Sequence, residues 1–237
     1  MIIEMIIYPL FLVSIVFSLY AQIKISSTYS RYASFYTRAG RNATDIARMI
    51  LSNEGIYDVS IGRVRGNLTD HFDPRSNTLA LSDTTYASTS AAAIGVAAHE
   101  AGHAVQHAVG YFPIKLRSKL VPVTNFASRL SWIFIMLGIL TTAVAYSFDY
   151  GYYVLMFGIG LFGVTTLFQL VTLPCEFNAS KRAMIALKQS GYYSDEELGA
   201  ARKVLTAAAL TYVAATFASI VQLIRLVLIF GNRNDRR

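Results

Sequence analysis

Four long apolar stretches limit what this chain can become: Ile2 to Ile23, Leu130 to Ser147, Tyr152 to Leu173 and Val204 to about Phe230. Each is near the roughly 20 residues that an α-helix needs to cross the hydrocarbon of a bilayer. A segment in lipid has to satisfy its own backbone hydrogen bonds, so these stretches must be helical, and everything else has to fold in the gaps between them. Composition agrees. Of 237 residues 54% are hydrophobic and 15% charged, with a mean hydropathy of +0.43, whereas a soluble domain carries about a quarter charged residues. The first stretch has too long an apolar run for a signal peptide, no positive region before it and no small-x-small cleavage site after it, so it reads as a retained anchor.

Trp132 at one end of the second stretch, and Tyr146, Tyr150, Tyr152 and Tyr153 at the far end, have the placing of aromatic belts at two interfaces. The short turn from Ser147 to Gly151 makes the second and third stretches a transmembrane hairpin. Charge gives the orientation. Lys24, Arg31, Arg38, Arg41 and Arg48 follow the first stretch, Lys115, Arg117, Lys119 and Arg129 precede the second, and Lys181, Arg182 and Lys188 follow the third, while the hairpin turn carries only Asp149. The positive-inside rule puts the connecting segments in the cytoplasm. The fourth stretch resists that scheme: Arg225 lies within it, and a full crossing would leave Arg233, Arg236 and Arg237 outside, so crossing and re-entrant readings both stand. The net charge of +7 lies beside the apolar stretches, which makes anionic lipid headgroups the expected partner, and no nucleic acid. The alternation of Tyr29, Tyr32 and Tyr36 with Arg31, Arg38 and Arg41 fits a basic, aromatic interfacial strip or a plain helical continuation of the anchor.

In the gap between the first and second stretches lies His99-Glu100-Ala101-Gly102-His103. Ser90 or Thr89 can cap a helix start, Ala91 to Val109 holds good helix formers and no proline, and Gly110 followed by Pro113 supplies a stop. Positions four apart on a helix share a face one turn apart, so both imidazoles address one point, with Glu100 beside it. Neutral imidazoles are zinc ligands, and a carboxylate beside a zinc-bound water can take its proton.

Catalytic zinc takes three protein ligands, so one is missing. The continuation with glycine three and histidine six residues after the second histidine would fall at Gln106 and Val109 and is absent. His107 is on the same face, yet eight residues from His99 is about 12 Å of rise. It therefore reads as an outer-layer or surface residue. His71 is the only other histidine, which turns attention to carboxylates. Glu4 precedes the domain, Glu54 precedes a helix-ending Gly55, and Glu196 and Glu197 follow Ser194 in a first helical turn. Glu176 remains, in Leu173-Pro-Cys-Glu-Phe-Asn-Ala-Ser-Lys-Arg182, where an apolar run ends; its alternative reading is the start of a solvated helix. Cys175, the single cysteine, excludes an intramolecular disulfide and reads as buried filler.

His99-Glu-Ala-Gly-His-Ala-Val-Gln-His107, Leu68-Thr-Asp-His-Phe-Asp-Pro74, Lys115-Leu-Arg-Ser-Lys-Leu-Val-Pro122, Leu173-Pro-Cys-Glu-Phe-Asn-Ala-Ser180 and Ala201-Arg-Lys-Val-Leu-Thr-Ala-Ala-Ala-Leu-Thr-Tyr-Val213 together resemble the YugP-type neutral zinc metallopeptidases, membrane proteins of bacteria, over nearly the whole chain. That family is similar in layout to the HtpX-type gluzincin proteases. The resemblance implies His99, His103 and Glu176 as ligands of one zinc ion, Glu100 as general base, a protein or peptide substrate and a place in the bacterial cell membrane. HtpX-type enzymes carry an acidic residue four after the ligand glutamate; this chain has Ser180, which can orient a ligand by hydrogen bonding but brings no charge.

Between anchor and motif, Asn42 with Asp45 forms a capping-box pattern opening a short helix whose Ile46, Met49 and Ile50 share a face. Asp58 to Val64 and Asn77 to Ser82 read as strands around the turn Asp73-Pro-Arg-Ser-Asn77. Thr78 to Leu81 is either an edge strand that pairs with substrate backbone, as gluzincin-like folds imply, or a plain hairpin strand. His71 and Asp73 read as turn-stabilising rather than cleft residues.

The expectation is a mainly α membrane protein in which transmembrane helices carry a small gluzincin-like α+β zinc-peptidase domain with a short β-hairpin or sheet. Its layout is an N-terminal anchor (1–25), a cytoplasmic zinc-peptidase segment (26–120) with the motif helix at about 90–109, a transmembrane hairpin (121–175), a helix carrying the third ligand (176–203) and a fourth membrane segment with a basic tail (204–237). The expected activity is peptide hydrolysis by zinc-activated water at the cytoplasmic membrane face. Arg182, His71, His107 and Tyr212 are the candidates for stabilising the oxyanion. A non-catalytic zinc-binding scaffold or sensor is the alternative. A transporter is disfavoured because the spans hold no internal histidine or aspartate. Oligomeric state is not encoded legibly.

Overall fold

The computed structural model describes the backbone of residues 2–144 and 148–231, and side chains over 6–142 and 150–231. Tyr146, Ser147, Arg233, Arg236 and Arg237, used above to place an interface and a tail, lie outside the described residues, as does the Asp149 side chain.

The element order is α1 (Ile2–Ala33), α2 (Ala43–Asn53), β1 (Ser60–Val64), β2 (His71–Asp73), β3 (Thr78–Ser82), α3 (Ala91–Ala108), α4 (Phe112–Val144), α5 (Phe148–Gln189) and α6 (Asp195–Phe230). Four of these helices, α1, α4, α5 and α6, are long and apolar enough to cross a membrane. They run beyond the apolar stretches that nucleate them: α5 continues without a break through Pro174 and past Glu176, where the sequence pattern placed the start of a separate helix, as far as Gln189. Helix propagation explains this, since Phe177 to Gln189 contains no glycine or proline and offers a fresh buried face in Ala179, Ala183 and Leu187. The basic, aromatic segment after the anchor is likewise a helical continuation as far as Ala33, with Tyr29 buried against Ala92 and Val204.

The chain divides into two compact units. One gathers residues 21–115 and 173–211. Its centre is α3, whose Ala93, Ala97, Ala98, Ala101 and Ala104 are fully buried among Ile46 and Ile50 of α2, Leu79 and Leu81 of β3, Leu187 of α5 and Leu205 of α6. Each large aliphatic side chain buried there stabilises the unit by roughly 1.5–3 kcal/mol. Small residues let the helices come close. A Cβ added at Gly102 would stand 2.8 Å from the Ala179 carbonyl oxygen, so α3 and α5 meet backbone to backbone there. The predicted caps hold: Asn42 and Asp45 form a reciprocal capping box on α2, Ser90 Oγ accepts from the Ala93 amide at the start of α3, and Gly110 ends α3 with a φ of 69°.

The sheet corrects two expectations. Its order is β1-β3-β2, with β3 parallel to β1 and antiparallel to β2. β3 is therefore central, and Thr78 to Leu81 has no free edge to offer a substrate; the hairpin is β2–β3, closed by the Asp73 carboxylate accepting from the Arg75 amide (2.9 Å) and the Ser76 hydroxyl (2.9 Å). The strand that went unread, His71–Asp73, is too short for an alternation pattern. Asp70 fixes its start by accepting from the Ser82 amide at 2.7 Å and the Ser82 hydroxyl at 2.9 Å.

The other unit gathers residues 1–20, 116–172 and 212–237. Ile135, Leu155, Ile159 and Leu226 form its core, and α4 meets α5 at glycines: a Cβ at Gly138 would lie 2.5 Å from the Leu155 amide nitrogen, and one at Gly158 2.7 Å from that of Ile135. Arg225, the charge inside the fourth apolar stretch, lays its guanidinium over the Phe11 ring at 4.2 Å and donates to Gln222 Oε1 at 3.2 Å.

Candidate metal centre

His99 and His103 stand one helical turn apart on α3, with their rings edge to face and centroids 4.7 Å apart. Helix α5 brings Glu176 against them. His99 Nε2 lies 3.1 Å and His103 Nε2 3.5 Å from the same carboxylate oxygen, Glu176 Oε2. One ligand atom from each of the three residues falls within 4.8 Å of the others. Ligands bonded at about 2.0–2.1 Å to a tetrahedral ion stand about 3.3 Å apart, so the observed spacing and the donor set of two imidazoles and one carboxylate fit zinc with a fourth position open. Glu176 is 1% exposed and His103 7%. Burial at that level is unfavourable for a carboxylate unless cationic groups or a metal neutralise it.

Glu100, next to His99, is half-buried. Enclosure of its carboxyl pushes the pKa above the ordinary carboxylate range; the neighbouring His99 opposes this, the charges of Glu176 and Asp70 add to it, and the Phe72 amide of β2 faces it and opposes it. The edge strand β2 thus lies beside the prospective base.

An outer layer holds the imidazoles by their other nitrogens. His99 Nδ1 is 3.1 Å from Ser180 Oγ. His103 Nδ1 is 2.9 Å from Gln106 Oε1. Sequence reasoning missed Gln106; the available signal was a polar residue on the buried face of an alanine-rich helix. His107 is exposed, and its ring sits beside Phe72 at a centroid distance of 5.8 Å. His71 is exposed with Nδ1 2.8 Å from the Thr69 carbonyl oxygen, Arg182 Nε donates to Asn178 Oδ1 at 2.9 Å, and Tyr212 belongs to the other unit. These contacts of His71, His107 and Arg182 are to groups other than the three ligand atoms.

Comparison with known proteins follows the same line. Residues 7–231 match a family described as "Putative neutral zinc metallopeptidase". The chain is 42% identical over 218 residues, 92% of its own length and 93% of the relative's, to a Bacillus subtilis (strain 168) protein entitled "Putative membrane protease YugP". No solved structure matches.

Proposed function

We propose a function from one premise: the chain belongs to the neutral zinc metallopeptidase family. It is a membrane zinc endopeptidase of gluzincin type, with His99, His103 and Glu176 holding one zinc ion and Glu100 acting as general base. The observation that carries this reading is the convergence of two imidazole nitrogens on one buried carboxylate oxygen, with a second, proton-hungry carboxyl alongside. Zinc bound there would polarise the scissile carbonyl and lower the pKa of an attacking water from near 16 to about 7. Glu100 would accept the water's proton and deliver it to the leaving amine. Ser180 and Gln106 hold the imidazoles in place.

The catalytic segment faces the cytoplasm. Support comes from the basic residues after the first and third apolar stretches and before the second. Glu176 follows the third apolar stretch by three residues, so cleavage takes place at the membrane surface, on membrane proteins or on unfolded segments presented there. A peptide tethered to vesicles is then cut faster than the same peptide free in solution; equal rates would remove this part.

The test of the activity is Glu100→Gln in the full-length protein, assayed on casein. Zinc content stays at the wild-type level and turnover falls by about 10²- to 10⁴-fold. A variant that retains full cleavage would leave zinc binding without the proposed catalysis.

A further inference from the structure

Gln106 is fully buried, one turn after His103 on α3. A buried primary amide has a direction, because its oxygen only accepts and its nitrogen only donates. Three neighbours set that direction here. Nε2 lies 2.8 Å from the Cys175 carbonyl oxygen, which can only accept. It also lies 3.0 Å from Asn178 Oδ1, and that atom is identified as oxygen by Arg182, whose Nε donates to it at 2.9 Å and has no acceptor character. Gln106 must then turn Oε1 toward His103 Nδ1, 2.9 Å away. An oxygen facing a ring nitrogen at that distance is a hydrogen bond only if the nitrogen carries the proton. In the neutral ring, the form that binds a metal, the lone pair of His103 is then on Nε2, the nitrogen that faces Glu176.

We propose that Gln106 is a positioning residue of the metal centre: it locks His103 as the Nδ1–H tautomer and ties that setting to the turn of α5 that bears Glu176. The inference rests on the metal site proposed above. The two histidines differ in this respect. Ser180 Oγ can donate or accept, so it steadies His99 without dictating where the proton sits. At His103 the sequence of one-way donors, from Arg182 through Asn178 to Gln106, leaves a single arrangement. Because Cys175 adjoins Glu176, the same amide also fixes the spacing of the two ligand-bearing helices.

The test uses the full-length protein in detergent. Zinc affinity is measured by competition with a chromophoric chelator, and the ligand field by the visible absorption of the cobalt-substituted form. Gln106→Met keeps a long side chain in the pocket but cannot accept from Nδ1; zinc affinity falls about 10- to 100-fold and the cobalt spectrum changes, with helical content unaltered. A Met variant with wild-type affinity and spectrum overturns the proposal, and so does a loss of affinity with an unchanged cobalt spectrum, which would mean packing alone. Should Gln106→Met not fold, 15N spectra of the histidine-labelled, zinc-bound wild type decide: zinc on Nε2 with the proton on Nδ1 of His103 is expected, and the reverse overturns it. A wild-type chain that binds zinc but cleaves nothing removes the hydrolase reading and leaves this one to the affinities.

Discussion

In the unit built on α3, helices meet around alanine and glycine and around polar side chains with defined partners: Gln106 between His103 and Asn178, and Ser180 on His99. In the unit of residues 1–20, 116–172 and 212–237, helices meet chiefly by shape. Gly138 and Gly158 admit a neighbouring backbone, rings stack edge to face at Phe17–Phe217 (6.1 Å) and Phe134–Phe157 (4.9 Å), and Thr166 Oγ1 pairs with Ser219 Oγ at 2.8 Å. The physical reason is the solvent. In water, burial of apolar surface supplies cohesion, and a unit can bury polar groups provided each is paired. In lipid, apolar burial gives helices no reason to associate, so close fit between small residues takes over.

The contrast predicts where damage goes. The largest effect is expected from Glu176→Ala, which removes the carboxylate on which both imidazoles converge; zinc affinity falls by at least about a hundredfold, as read by metal content after dialysis, while helical content persists. Undiminished zinc would remove Glu176 from the ligand set. Next comes Gly102→Ala. The new methyl meets the Ala179 carbonyl oxygen, so α3 and α5 separate, and both stability (about 1–3 kcal/mol by denaturant unfolding) and zinc affinity decline together. Gly138→Ala costs a similar amount of stability through its clash with Leu155 but leaves zinc affinity within about twofold; coupled loss of zinc there would erase the distinction between the units. The smallest effect belongs to Thr166→Val, which deletes one interhelical hydrogen bond and costs about 0.6 kcal/mol, with no change in metal binding.

Some of this was readable from the chain because the physics involved is local. His99 and His103 are four residues apart on a capped helix, which is a statement about one segment, and the spans announce themselves by length and hydropathy. Glu176 could be reached only by setting aside the other glutamates, and the family resemblance pointed to the same residue. β2 escaped notice because three residues carry no periodicity, and the central place of β3 escaped because strand order is set by what lies between strands in space. Gln106 was passed over for a related reason. Its role comes from Cys175, Asn178 and Arg182, which approach it only after α5 has packed on α3.

Helix α5 carries the last piece of the centre, and it is made late. Glu176 is synthesised 73 residues after His103, with α4 and the apolar half of α5 emerging in between. At about 5–20 residues per second the ribosome needs roughly 4–15 s to cover that distance. On the proposed ligand set, a nascent chain holds two imidazoles and a base but no third ligand, and it lacks Asn178 to orient Gln106. On that reading a chain cut short before Glu176 lacks the third ligand, so the centre is completed only once the second half of the protein has been made.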